Sequence, residues 1–408
     1  MIRRLPLAVV SLGAAAAVLT PALAHADPVT SAGTALRAPA RASSLSSALG
    51  QDLRRYLASR GKPEHVSAVS LRVTFPGKPG INLAAGTTRY GSGRTVSPAV
   101  LWQVGSNTKA FTSVMMLQLE AEGRLSIGDT LGKWLPRYPI WKNITIRQLL
   151  DMTSGIPDYA DQAAWLSAIT ADPHAVFTAG QLVSYAYGLP LLPPGWHYSN
   201  TNYILAQLII QKATHDSYAD QLTRRIIDPL HLGALCWAPY TCPPGTAARM
   251  PDGYFLDAPP PLAKLARTAV PKLALTWAQG AGGIVSSLAD LTTWDRALYQ
   301  GQELPPPQQR QLESLVSEAT GQPIAAATPA NPGFGLGVAA AASSATGTIW
   351  EYEGETFGYR LLHIYQPASG VIIAVAANSG AQGTNDQLPS LTLTVFKTLQ
   401  AYGALTGG

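Results

Sequence analysis

Charge is scarce in this chain: 13% of its 408 residues are Asp, Glu, Lys or Arg, against 47% that are hydrophobic. That balance excludes a disordered, solvating polymer and supplies enough apolar side chain for a sizeable core. The formal net charge is +5, from 29 basic and 24 acidic residues. Without residues 1–26, which hold Arg3 and Arg4 and no acid, the count is 27 against 24, or +3. So small and scattered an excess argues against a nucleic-acid partner. Cysteine is nearly missing as well, with two residues in all. No cysteine–histidine cluster is present, and neither is a Gly-x-Ser-x-Gly elbow, a His-Glu-x-x-His pair or a phosphate-cradling glycine loop. No metal and no cofactor are expected.

What is present begins with a leader. Arg3-Arg4, an apolar run from Leu5 to Thr20, and Ala24-His25-Ala26 follow the order of a secretory signal peptide over residues 1–26. The competing reading is an N-terminal membrane anchor, which Pro21 and the small-x-small pattern disfavour. No later segment is long and apolar enough to cross a bilayer, so no stable span is expected after cleavage. An exported protein is the expectation, periplasmic or secreted and mature from about Asp27. In an oxidising compartment Cys236 and Cys242, which flank Trp-Ala-Pro-Tyr-Thr, are expected to pair as a local staple worth roughly 2 kcal/mol. A catalytic thiol is disfavoured for the same reason.

Length alone predicts two or three domains, or one core with an insertion. Residues 27–44 are Ala, Pro, Ser and Thr with two arginines, a tether without periodicity. Leu49, Leu53, Tyr56 and Leu57 recur at helical spacing, and Gly61 and Pro63 stop that helix. Val69, Leu71, Val73 and Phe75 alternate as a strand with one buried face, followed by a turn and a second strand near Ile81 to Ala85. Helices are expected over Ser106 to Glu122, after the Thr145 to Gln148 capping box, over Tyr203 to Ala213 as an amphipathic helix, and after a second capping box at Ser287 to Asp290. Strands then follow at Phe334 to Val338, Thr348 to Tyr352, Tyr359 to Tyr365 and Val371 to Ala376, and a helix from Leu391 to Tyr402 closes the chain. The expected fold is α/β (α+β): an antiparallel sheet flanked by helices, built from residues 45–124 and 281–403, with a mostly helical insertion over 125–280.

One nucleophile arrangement remains. Ser106-Asn107-Thr108-Lys109 places a hydroxyl at the first turn of a helix and an amine three residues on, on one face. A lysine in a dry cleft loses its proton easily and serves as base or relay. Ser59-Arg60-Gly61-Lys62 matches the same spacing, but its place at a helix end marks it as a solvated terminus. A second element, Pro194-Gly195-Trp196-His197-Tyr198-Ser199-Asn200, brings a tyrosine whose pKa a neighbouring lysine can lower, and Asn200, which can orient both lysine and substrate amide. The plain alternative is a helix-capping Ser/Asn pair with a core tyrosine.

The two motifs, with Leu101 to Lys109, Ile144 to Ile156, Tyr198 to Tyr203, Ala281 to Ser287 and Gly335-Leu336-Gly337 in order, resemble the serine β-lactamase-like hydrolases of class C β-lactamase, DD-peptidase and esterase type. The resemblance covers roughly residues 45–403. It implies acylation of Ser106, with Lys109 and Tyr198 shuttling the proton and Asn200 orienting, and an oxyanion hole made by the backbone N–H groups of Ser106 and Glu355. The family's third motif, a Lys or His followed by any residue and a Gly, aligns with Tyr352-Glu353-Gly354-Glu355, so the expected cation is a tyrosine.

These four residues are the expected substrate-binding strand. Glu353 and Glu355, two apart, share one side of it and are expected to repel a substrate carboxylate, which favours an ester, an amide or a D-amino-acid peptide bond near a free amine. Their competing role is a solvated edge that pairs with Arg360. His197 reads as polar surface and His363 as a satisfied core residue. The expected partner is therefore a small-molecule or peptide substrate. A D-alanyl-D-alanine carboxypeptidase or β-lactamase, and a non-catalytic penicillin-binding-like protein, are the alternatives, and the oligomeric state is open.

Overall fold

Ser44 opens the described chain by accepting the Ser47 N–H at 3.2 Å, and the helix Leu45–Arg60 follows from that cap. The structure, a computed structural model, describes residues 44–256, 262–381 and 383–405. The expected signal peptide and residues 27–43 of the expected tether lie outside the described residues. Among the described residues no helix is long and apolar enough to cross a membrane.

In chain order the strands are β1 (Ala68–Phe75), β2 (Lys78–Arg89), β3 (Ser92–Thr95), β4 (Leu101–Gln103), β5 (Cys236–Trp237), β6 (Tyr254–Phe255), β7 (Ile284–Ser287) and β8 (Leu315–Ser317). They continue as β9 (Pro323–Ile324), β10 (Gly333–Phe334), β11 (Ala339–Ser343), β12 (Gly347–Thr356), β13 (Tyr359–Gln366), β14 (Val371–Ala377) and β15 (Ser379–Gly380). One sheet carries the order β3-β2-β1-β14-β13-β12-β11-β10-β8-β9, so the N-terminal hairpin and the C-terminal meander meet at β1 and β14. A second sheet, β4-β7-β5, joins the N-terminal part to the middle of the chain, and the two short strands of the mostly helical insertion, β5 and β6, pair outside it, with β7 and β15.

The sheet is covered on both faces, which corrects the expectation that β1 buries only one. Along β14, Val371, Ile373 and Val375 enter the core shared with the helices Leu45–Arg60 and Leu388–Ala401, while Ile372, Ala374 and Ala376 enter the larger core opposite. Ser70 of β1 is itself fully buried. A strand enclosed on both sides loses the polar half of its alternation, and Val371–Ala377 reads accordingly as an unbroken apolar run.

Three further expectations change. The Asn200–Thr214 helix starts three residues earlier than its periodicity indicates and is buried on almost every side through Ile210. The strand expected at Phe334 to Val338 is broken: β10 stops at Phe334, and Gly337 takes φ +79 where an added Cβ would lie 2.7 Å from the Tyr203 hydroxyl and 3.1 Å from the Lys109 carbonyl oxygen. The second capping box is half made, since Ser287 accepts the Asp290 N–H but the Asp290 carboxylate turns to the Ala234 N–H at 2.6 Å. The Thr145 box is complete.

Candidate active site

Past Glu351 the outer edge of β12 has no partner in β11, and the turn Gly105–Asn107 packs there instead. Close approach of two backbones explains the glycines on each side. Gly105 adopts φ +52, and a Cβ on it would lie 2.6 Å from the Glu355 nitrogen; one on Gly354 would lie 1.9 Å from the Val104 carbonyl and 2.9 Å from the Ser106 nitrogen. The amides expected to form an oxyanion hole therefore sit on facing segments. Ser106 stands on this tight turn, two residues before the helix Thr108–Ala121 rather than inside its first turn.

Asn107 fixes the turn to the sheet. Its Nδ2 donates to the Val104 and Leu361 carbonyls at 2.9 and 3.1 Å, which leaves Oδ1 to face His363 Nδ1 at 2.7 Å. An amide oxygen only accepts, so Nδ1 carries the proton. Burial lowers the His363 pKa to about 3, the ring is neutral, and Nε2 accepts from the Tyr299 hydroxyl at 2.8 Å. His363 is a satisfied core residue, as expected, but one that anchors the turn carrying Ser106.

Lys109 is fully buried, and its Nζ donates to Ser106 Oγ at 3.0 Å, Asn200 Oδ1 at 2.8 Å and the Ala281 carbonyl at 2.8 Å. Burial lowers its pKa to about 7, against the opposing pull of the Asp158 carboxylate. On the other side of Ser106, Tyr198 Oη is 2.5 Å from its Oγ. The expected lowering of this tyrosine's pKa is not found. Burial pushes the phenol upward, and the hydrogen bond to Ser106 only partly offsets that, so Tyr198 rests neutral and Lys109 is the more easily deprotonated group. Asn200 connects Lys109 to Asp158, whose Oδ2 accepts from Asn200 Nδ2 at 2.8 Å and whose pKa burial raises. Ser106, Lys109, Tyr198 and Asn200 thus converge, and Asp158, Asn107 and His363, none of them a candidate site residue in the sequence, join them.

The cleft over Ser106 is lined by Asn200, Tyr159, Trp277, Ala281, Gly282 and Glu355 among others, and its volume of about 20 Å³ is room for about one water-sized group. Glu355 lines it and Glu353 does not. The Glu353 carboxyl is enclosed beside Asp386 and Arg360; burial raises its pKa well above the usual carboxylate range, the Asp386 charge raises it further and Arg360 opposes. Arg360, which faces Glu355 across the β12–β13 ladder, bonds Glu64, Asp386 and the Ser379 carbonyl. The expectation that both glutamates face the cleft is corrected: only Glu355 lines it, and the Glu353 carboxyl sits with Asp386 and Arg360. Tyr352 is buried against Phe334, with ring centroids 6.0 Å apart.

Cys236 and Cys242 are bonded to each other. His197 meets the Pro193 carbonyl at 2.8 Å and does not line the cleft. In the Ser59–Lys62 copy, the serine hydroxyl caps the Arg55 carbonyl at 3.0 Å and Lys62 is exposed.

The beta-lactamase family profile matches residues 53–392. Protein flp of Staphylococcus aureus is 35% identical over 179 residues, 41% of this chain and 34% of flp; penicillin-binding protein 4* of Bacillus subtilis is 32% identical over 212 residues, 49% of this chain and 45% of its own length. The chain thus aligns with about a third to just under half of these relatives. Among solved structures, a D-stereospecific amidohydrolase from Streptomyces sp. superposes with TM-score 0.67 at 29% identity, covering 85% of this chain and 96% of that one. The D-amino acid amidase from Ochrobactrum anthropi SV3 shares the fold with TM-score 0.74 at 21% identity, covering 88% of this chain and 100% of its own.

Proposed function

We propose that this chain, which belongs to the beta-lactamase family of serine hydrolases, is an exported amidohydrolase for D-amino-acid amides or amino-terminal peptides that carry a free amine near the scissile bond. The observation that carries the substrate class is Glu355: it lines the cleft at Ser106, and none of the described lining residues is a cation. An ammonium group is attracted there and a carboxylate repelled. The likeness to the D-stereospecific amidohydrolase supports the stereochemistry, and the leader pattern with the Cys236–Cys242 bond supports export.

In this reading neutral Lys109 takes the Ser106 proton as Oγ attacks the carbonyl carbon, and the oxyanion forms between the Ser106 and Glu355 amides. Tyr198 gives its proton to the leaving nitrogen, and the proton held by Lys109 replaces it. Water then hydrolyses the acyl-enzyme by the same steps reversed.

A fluorophosphonate probe should label wild type and not Ser106→Ala. D-alanyl and D-phenylalanyl amides should be cleaved in preference to an N-acylated D-Ala-D-Ala peptide; preference for the last would overturn the substrate assignment.

A further inference from the structure

A second cavity, about 370 Å³ in volume, shares no lining residue with the cleft at Ser106. That volume is within the range of small-molecule sites. The β2–β3 hairpin contributes Thr88, Arg94 and Thr95 to its lining, and the end of the turn Thr246–Arg249 contributes Arg249 and, beside it, the buried Met250. Its charge is of one sign. Arg94 and Arg249 line it without any acid, and neither guanidinium has an ion pair among the described residues. Asp252, whose N–H bonds the Thr88 carbonyl at 2.9 Å, has both carboxylate oxygens taken, by Arg89 at 3.0 Å and Lys272 at 2.7 Å. It leaves Arg94 and Arg249 uncompensated. Lys272 also holds the second wall, since Nζ donates to the Ala247 and Met250 carbonyls at 3.3 and 2.9 Å, on either side of Arg249. Two lining hydroxyls are set to donate. Thr88 Oγ1 accepts the Arg94 N–H and Ser97 Oγ the Ala99 N–H, each at 3.2 Å, so each hydroxyl keeps its own proton for another partner.

We propose that this cavity binds a small phosphate monoester, at a site separate from the hydrolytic one. Each guanidinium offers a planar fork of N–H donors, the geometry that matches two oxygens of a phosphate. Thr88 and Ser97 add hydroxyl donors for the remaining oxygens. A phosphate monoester carries a charge of about −1.5 to −2 at pH 7, which balances two arginines, whereas a single carboxylate leaves one of them unmatched. The volume exceeds what the phosphate alone needs, and the buried Val100 and Met250 give the ester's carbon body an apolar surface to cover. The two sites thus differ in sign: Glu355 at the cleft repels the anion that Arg94 and Arg249 attract.

Isothermal titration of the full chain with glycerol 3-phosphate, inorganic phosphate and succinate, at low ionic strength, tests this. Glycerol 3-phosphate should bind saturably at one site per chain, more tightly than either of the others. Arg94→Gln and Arg249→Gln should each weaken that binding about 10- to 100-fold. Both side chains are exposed, so both variants should melt with the wild type. Ser106→Ala should bind glycerol 3-phosphate as tightly as wild type; weaker binding would place the ligand in the cleft and overturn the assignment. Absence of saturable binding, or an affinity unchanged in either arginine variant, overturns it as well. Equal or tighter binding of succinate would overturn the choice of phosphate, and equal or tighter binding of inorganic phosphate the choice of an ester.

Discussion

Asp158 holds Asn200 by a 2.8 Å hydrogen bond to the amide nitrogen, and that contact turns the amide oxygen toward Lys109. A carboxylate accepts and cannot donate, so the amide has one stable orientation. Asp158→Ala frees it to rotate and present a donor to the lysine, which is already a donor. The expected result is a fall in kcat of about 10- to 100-fold with a folded protein, checked by steady-state kinetics beside a thermal melt.

The same carboxylate sets the pH response. Lys109 must be neutral to take the serine proton, and burial places its pKa at about 7, so kcat/KM should rise through about pH 7 as the proton is lost. Asp158 opposes this lowering by favouring the ammonium form. Asp158→Asn removes that influence, and the rising limb should move to lower pH. A limb that stays in place or moves upward would show that another group titrates.

The convergence of Ser106, Lys109, Tyr198 and Asn200 was legible because their spacing is local: Ser106 and Lys109 are three residues apart, and Tyr198 and Asn200 are two apart. Their supports were not, since Asn107 meets His363 across 256 positions and Asp158 meets Asn200 across 42, and neither contact leaves a periodic trace. A single buried cation misled the reading of β12. Period-two alternation puts Glu353 and Glu355 on one side, but only the fold shows that Arg360 and Asp386 enclose the first. The broken strand after Phe334 has a similar cause, because Gly337 is shaped by the close approach of Tyr203 and Lys109, distant partners in sequence.

Glu351 makes a second titrating device testable. It is 3% exposed, both carboxyl oxygens lack a hydrogen-bond partner among the described residues, and burial, with Glu318 adding to it, raises its pKa to about 8. A raised acid binds its proton more tightly folded than unfolded, so its contribution is present below the unfolded pKa and is lost as pH rises through about 8. Glu351→Gln removes that dependence. Thermal melts should show the variant gaining on wild type between pH 5 and pH 9, by an amount on the order of a few kcal/mol; a gain that is the same at both pH values would contradict the assignment.

His363 has the opposite sign. Its pKa is lowered by burial to about 3, and Asp295, 3.8 Å from Nδ1, is itself pushed toward neutrality. The unfolded chain therefore binds a proton that the fold refuses, and stability should drain away as pH falls from about 6.5 toward 3. His363→Ala abolishes this dependence, but it also strips Asn107 Oδ1 and the Tyr299 hydroxyl of their partners, at about 1–3 kcal/mol for each group left unpaired. The variant should be less stable than wild type at pH 8 and lose less on acidification. Because Asn107 adjoins the nucleophile, fluorophosphonate labelling of Ser106 should slow as well. His363→Gln, whose side-chain N–H can replace Nδ1–H toward Asn107, should recover labelling ahead of stability, which separates the anchoring of the turn from the filling of the core.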